Sequence, residues 1–208
     1  MKEGICYIVG AGECFGLDFL LTEMDYLIAA DGGLRHVEAH NLSAHMVVGD
    51  FDSYAPPPKH PNLIQLHQEK DETDLFAALQ EGIRLGYRRF HLYCATGGRI
   101  DHTMANLQLL TYLSRRNLSG HLFDAHSIIT AITNGAITFS SQYSGNLSLF
   151  SADVQALGVS VTGLKYPLER ATLTSDFPLG ISNEFIGVGS RITVEKGTLL
   201  LVYPRWLV

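Results

Sequence analysis

The sequence predicts an α/β N-terminal domain with a mainly parallel, Rossmann-like sheet, followed by an all-β sandwich C-terminal domain. Two textures, one on each side of residue 120, predict it. Through about residue 120, short runs that are apolar throughout alternate with helix-like stretches, as in parallel sheets covered on both faces. Beyond that point the segments are short and rich in Val, Ile, Thr and Leu, with Gly, Asn and Ser between them, as in antiparallel sandwiches. A hydrophobic content of 46% over 208 residues is enough for a real core. The domains are predicted as 1–122 and 123–208.

The elements follow in order. "GICYIVG" reads as a strand, "LDFLLTEMD" (17–25) as a short helix, and "YLIAADGG" as a second strand. "LRHVEAHN" is helix-like, "HMVVGDFDS" and "NLIQLH" are strands, and "DETDLFAALQEGIRLG" is a strong helix. "FHLYCAT" is a strand and "DHTMANLQLLTYLSRR" a helix. "AITFSS", "GNLSLFSA", "VSVTGL", "ATLTS" and "SRITVEKGTLLLVYP" supply the β-rich half.

Composition removes several classes of function. The net charge is −6 and Lys and Arg form no stripe, which disfavours nucleic-acid binding. No apolar run reaches the roughly 18 residues of a membrane span, and "MKEGICYIVG" lacks a signal-peptide pattern, so a soluble cytoplasmic protein is expected. Three cysteines without a C-x-x-C pair argue against a disulfide framework or zinc knuckle. The nine histidines show no H-E-x-x-H spacing, and Cys6 and Cys94 are expected in the core. Trp206 is expected to pack near the C-terminus rather than stack on a ligand.

Acidic residues end nearly every strand of the first half. Asp31 follows "LIAA", Asp50 and Asp52 follow "MVV", Asp71 and Asp74 follow "LIQLHQEK", and Asp101 follows "LYCATGGRI". In a parallel sheet these positions share one edge, where ligands gather. Converging carboxylates repel one another unless a cation lies among them, and an all-oxygen set suits Mg²⁺. Each residue also has an ordinary structural reading. Asp31 before Gly32-Gly33 fits an Asx turn, Asp71 and Asp101 fit helix caps, and Asp50 with Asp52 fits a turn. As i and i+2 of a strand, Asp50 and Asp52 share one face and point the same way.

Glycines and cations extend the pattern. "ATGGRIDH" (95–102) passes from strand to helix through Gly97-Gly98, whose N–H groups can face phosphate oxygens, and Arg99 can add a forked contact. His102 and Asn106 lie one helical turn apart on one face. "VGAGECFG" offers another glycine turn, but Phe15 breaks G-x-G-x-x-G and there is no G-K-[ST]. A magnesium–polyphosphate site without a Walker motif is the resulting expectation.

The ordered set "ADGGL" (30–34), "GDFDS" (49–53), "KDETD" (70–74) and "TGGRIDHTMANLQLL" (96–110) resembles the thiamine pyrophosphokinase family, and "GISNEF" (180–185) resembles its Ser-Asn segment. The resemblance implies transfer of a pyrophosphoryl group from ATP to thiamine with release of AMP. It implies a homodimer with active sites between one subunit's α/β domain and the other's β domain. It also implies that Asp50, Asp52 and Asp74 hold Mg²⁺ with Asp71 close by. Thr73, Arg99, Asp101 and the Gly97-Gly98 backbone would lie on the ATP side, and Asp31, Ser182 and Asn183 near thiamine. Arg99 would stabilise developing charge, and Asp31 and Asp52 are candidates to accept the hydroxyl proton. A Mg²⁺-dependent nucleotide hydrolase, a D-x-D glycosyltransferase, or a non-catalytic thiamine- or nucleotide-binding sensor remains open on the same residues.

Overall fold

The run after Gly4 forms β1 (Cys6–Val9), buried at every position. In the computed structural model, which describes residues 2–52, 58–67 and 71–205, the chain divides into two compact units. The first extends to Leu109 and includes Leu122–Asp124; the second takes Leu110–His121 and the chain from Ala125 onward. Trp206 lies outside the described residues, as do Ser53 of "GDFDS" and Lys70 of "KDETD".

In the first unit, β1 is followed by β2 (Tyr26–Ala30), α1 (Gly33–Ala39), β3 (Met46–Gly49) and β4 (Leu63–Gln65). Then come α2 (Asp74–Arg84), β5 (Arg89–Tyr93) and α3 (Ile100–Ser114), of which residues 100–109 belong here. The strand order is β5-β1-β2-β3-β4, and every pairing is parallel. Parallel order sends the carboxyl ends of β1, β2, β3 and β5 to one edge. The α2 helix starts where Thr73 Oγ1 accepts the Phe76 N–H at 3.2 Å. Its buried residues, Leu75, Ala78, Leu79 and Gly82, follow helical spacing. Gly82 is required there, because a Cβ would fall 2.7 Å from the Phe90 ring.

Residues 17–25 correct one expectation: they form no helix. Leu17, Phe19 and Leu21 turn alternately toward the core, and Leu20 is 92% exposed, so the period is two rather than 3.6. Phe19 stacks on Tyr7 with ring centroids 4.1 Å apart. Asp25 ends the segment by accepting from Ile5 N at 2.7 Å and from Thr22 N at 2.9 Å and Oγ1 at 2.8 Å. Those bonds replace helical hydrogen bonds as partners for the backbone.

β6 (Ser119–Phe123) gives its last two residues to the first unit and the others to the second. The second unit continues with β7 (Ser127–Thr133), β8 (Ala136–Phe139), β9 (Asn146–Ser151), β10 (Gln155–Thr162) and β11 (Leu168–Thr174). It ends with β12 (Asn183–Glu184), β13 (Ser190–Thr193) and β14 (Thr198–Pro204). Its strands pair antiparallel in two orders, β12-β9-β14-β7 and β11-β10-β13-β8. Leu147 and Leu149 of β9 alternate with more exposed neighbours. They join Leu199 and Leu201 of β14, Val159 and Val161 of β10 and Ile192 of β13 in one core. No helix among the described residues is long and apolar enough to cross a membrane.

Candidate active site

The edge of the first unit's sheet is assembled from four strand exits. After β1, Gly10 N donates to Tyr93 O at 2.9 Å and Gly12 N donates to Cys94 O at 2.7 Å, so this turn lies along the exit of β5. A Cβ on Gly12 would stand 2.4 Å from Thr96 O, which is why the turn is written in glycine. After β2, Asp31 adopts φ +45°, a left-handed conformation that aspartate tolerates. Its N–H donates to Val48 O at 2.8 Å. Gly49 closes β3 against it, where a Cβ would lie 2.9 Å from Asp31 Cα.

Asp50 and Asp52 follow, but not on an extended strand. β3 ends at Gly49, Phe51 takes φ +58°, and Asp52 N donates to Asp50 Oδ1 at 3.2 Å. The strand-face expectation for this pair is thereby corrected: burial of the Phe51 ring, 2% exposed, turns the chain. Similarly, Thr73 rather than Asp71 caps α2, and Asp101 lies inside the first turn of α3 rather than at its cap.

The charges nevertheless act on one another. Burial pushes the Asp31 carboxyl above the usual carboxylate range, against a Gly32 N–H bond, and the charges of Asp74, Asp50 and Asp52 push the same way. Asp31 Oδ1 is buried without a hydrogen-bond partner. Among the described residues, no three aspartates bring ligand oxygens within 4.8 Å of one another. A buried carboxylate oxygen without a partner, under the charge of three further aspartates, fits a hard cation, because a cation would relieve both the repulsion and the missing bond.

Beside Asp31 lies a cavity of about 500 Å³. Thr73 and Asp74 from the start of α2 line it, together with Gly97, Gly98 and Arg99. His102 and Asn106 also line it from a shared face of α3, and Asn106 Nδ2 is fixed by donating to Ala95 O at 2.8 Å. Gly97 and Gly98 have φ +79° and +61°, an arrangement only glycine adopts cheaply. Asp50, Asp52, Asp71 and Asp101 do not line the cavity. Asp101 pairs with Arg99 at 2.6 Å on the exposed surface. The hydrogen bond from Arg99 lowers the Asp101 pKa to about 2.

Ser182 and Asn183 belong to the second unit. Ser182 has φ +57°, and its N–H donates to Ser148 Oγ at 3.0 Å. Asn183 is buried, and its amide serves the backbone. Oδ1 accepts from Tyr166 N at 3.0 Å and Glu184 N at 2.9 Å, and Nδ2 donates to Tyr166 O at 2.7 Å. Glu13 is a pocket residue that motif reading passes over. It lines the cavity, and its Oε1 accepts the Gly98 N–H at 3.1 Å. Glu13 stands inside the irregular "GAGECFG", and no local spacing ties residue 13 to residue 98.

A parallel α/β sheet carrying acidic and glycine-rich strand exits, joined in sequence to an antiparallel β unit, defines the class of two-part α/β-plus-β proteins to which this chain belongs. Residues 17–120 match the family described as "Thiamin pyrophosphokinase, catalytic domain", and residues 136–199 match "Thiamin pyrophosphokinase, vitamin B1 binding domain". The chain is 30% identical over 181 residues to the thiamine pyrophosphokinase of Bacillus subtilis (strain 168), covering 83% of this chain and 80% of that one. The chain belongs to the thiamin pyrophosphokinase family. The solved thiamine pyrophosphokinase of Bacillus subtilis superposes with a TM-score of 0.87 at 24% identity, covering 99% of this chain and 100% of that one. That of Geobacillus thermodenitrificans gives 0.84 at 26%, covering 98% of each chain. Thiamin pyrophosphokinase from Candida albicans gives 0.77 at 16%, covering 97% of this chain and 90% of that one.

Proposed function

We propose that this chain catalyses transfer of the pyrophosphoryl group of ATP to the hydroxyl of thiamine, giving thiamine diphosphate and AMP. The observation that carries the reading is the orphaned, buried Asp31 oxygen facing the charges of Asp50, Asp52 and Asp74 beside a glycine-lined cavity. Asp50, Asp52 and Asp74 would hold Mg²⁺, which when bound supplies charge neutralisation for phosphate oxygens. Asp71 stands near this set in sequence.

The chain's own groups do the rest. The Gly97-Gly98 backbone, Thr73, His102 and Asn106 bind and orient the ATP phosphates, and Arg99 faces the charge that builds in the transition state. Arg99 is held by Asp101 until phosphate competes for it. The thiamine hydroxyl forms a bond to the β-phosphorus of ATP while the bond from that phosphorus to the AMP oxygen breaks. The hydroxyl proton passes to a carboxylate, with Asp31 and Asp52 as the candidates; the raised pKa of Asp31 suits a proton acceptor. Ser182 and Asn183 belong to the thiamine side of this reading, with Asn183 acting through the backbone it holds.

The same reading takes the first unit as Rossmann-like and the second as a β-sandwich. It takes the assembly as a homodimer that completes each site and the location as cytoplasmic, where ATP is supplied. AMP release from ATP and Mg²⁺, measured with and without thiamine, tests it. Release that depends on thiamine is expected. Release without thiamine makes the chain a hydrolase, and thiamine binding without turnover makes it a sensor.

A further inference from the structure

Away from the aspartates, three soft ligand groups that are distant in sequence meet inside the first unit. Cys14 comes from the loop after β1, His36 from α1 and Cys94 from the exit of β5. One ligand atom of each, the two Sγ atoms and a ring nitrogen, lies within 4.8 Å of the others. Among the described residues this is the one group of His, Cys, Asp and Glu that closes so far. Cys94 is 3% exposed, and Cys14 and His36 are half-buried.

The surrounding backbone is already organised. Imidazole Nε2 of His36 lies 3.0 Å from Gly12 O. A carbonyl oxygen only accepts, so Nε2 is the protonated nitrogen of this bond, and in the neutral ring Nδ1 keeps the lone pair. Ligand histidines are oriented in this way, by a bond from the second ring nitrogen to a backbone carbonyl. Cys94 is held at φ +51°, a conformation a non-glycine residue keeps only when its surroundings impose it. Gly12 N donates to Cys94 O at 2.7 Å and Glu13 N to Thr96 O at 2.9 Å, which ties the Cys14 loop to the Cys94 segment.

We propose that Cys14, His36 and Cys94 form a binding site for one thiophilic divalent cation of the zinc and cadmium class, separate from the hard-cation site at the aspartates. Two thiolates and one imidazole match the preference of such ions, whereas the aspartate oxygens match magnesium. Tetrahedral zinc with sulfur at about 2.3 Å and nitrogen at about 2.0 Å sets its ligand atoms roughly 3.5–3.8 Å apart. The present spread of up to 4.8 Å closes by about 1 Å through side-chain rotation. Three protein ligands leave the fourth position to water. Cys94 also lines the cavity, so the bound ion stands in the wall of the candidate active site. No sequence spacing announces this site, because its ligands come from three separate elements.

The test is titration of the reduced full-length chain with Co²⁺ or Cd²⁺ in excess Mg²⁺, read by thiolate-to-metal charge-transfer absorption. One equivalent is expected to bind. Cys14→Ser and His36→Gln should each weaken binding at least about tenfold, the lower end of the loss seen even for residues that only orient a ligand. Circular dichroism checks that both variants fold, and Cys14, being half-buried, should tolerate serine. Cys6→Ser and Asp52→Ala should leave the band in place. No band, a band that survives Cys14→Ser, or a band lost in Asp52→Ala would overturn the assignment.

Discussion

Asp31 carries the sharpest conflict between folding and chemistry in the first unit. Its carboxyl is raised above its ordinary pKa by burial and by three like charges, so its ionisation opposes the fold. The sign follows from linkage: in the metal-free chain the contribution of Asp31 to stability is fully present below its unfolded pKa and is lost as pH rises through the raised folded value. Asp31→Asn should therefore raise the melting temperature of the metal-free chain at neutral pH. If Mg²⁺ binds as proposed, it should stabilise the wild type more than the variant; melting scans with and without Mg²⁺ check both. Glu13 occupies the Gly98 N–H that phosphate would use. Removing it in Glu13→Ala should lower the KM for ATP about fivefold, equivalent to ~1 kcal/mol, in steady-state kinetics. Asp31 was legible because an acidic residue after a buried strand marks the sheet edge. Glu13 was not, because its partner lies 85 residues away.

At the scale of elements, legibility followed period and caps. β1 and α2 are readable because uniform burial and i, i+3, i+4 spacing each have one physical meaning. The stretch 17–25 misleads because "LDFLL" is apolar enough for a helix, while the structure uses its alternation. What fixes it is Asp25, whose bonds reach back to Ile5 across the chain. The exit of β3 misleads for a related reason: the buried Phe51 ring, not the two aspartates around it, decides the turn. Burial tends to raise the Asp25 pKa, but the Ile5 and Thr22 hydrogen bonds and Arg89 prevail and lower it. Its stabilisation is thus present above the unfolded pKa and lost as pH falls through the folded one. Asp25→Ala should cost about 2 kcal/mol by leaving the Ile5 and Thr22 donors without acceptors, measurable by urea denaturation at pH 7.

For the whole molecule, the change of texture near residue 120 accompanies a change from parallel to antiparallel pairing. The first unit gathers the exits of its parallel strands at one edge, and the second is an antiparallel scaffold whose Asn183 organises its own backbone. Family membership rests on both halves, since separate family domains match 17–120 and 136–199. The cysteine and histidine cluster stayed illegible because it exists only after three elements pack. The central claim joins one reaction to one acidic edge. Its most direct test follows AMP and thiamine diphosphate together in the wild type and in Asp52→Ala, with ATP, Mg²⁺ and thiamine present. Equal amounts of the two products are expected in the wild type. In the variant, turnover should fall at least about a hundredfold, the scale of losing one transition-state charge contact. ADP as the product, or near-normal turnover in Asp52→Ala, would contradict the proposed reaction at this edge.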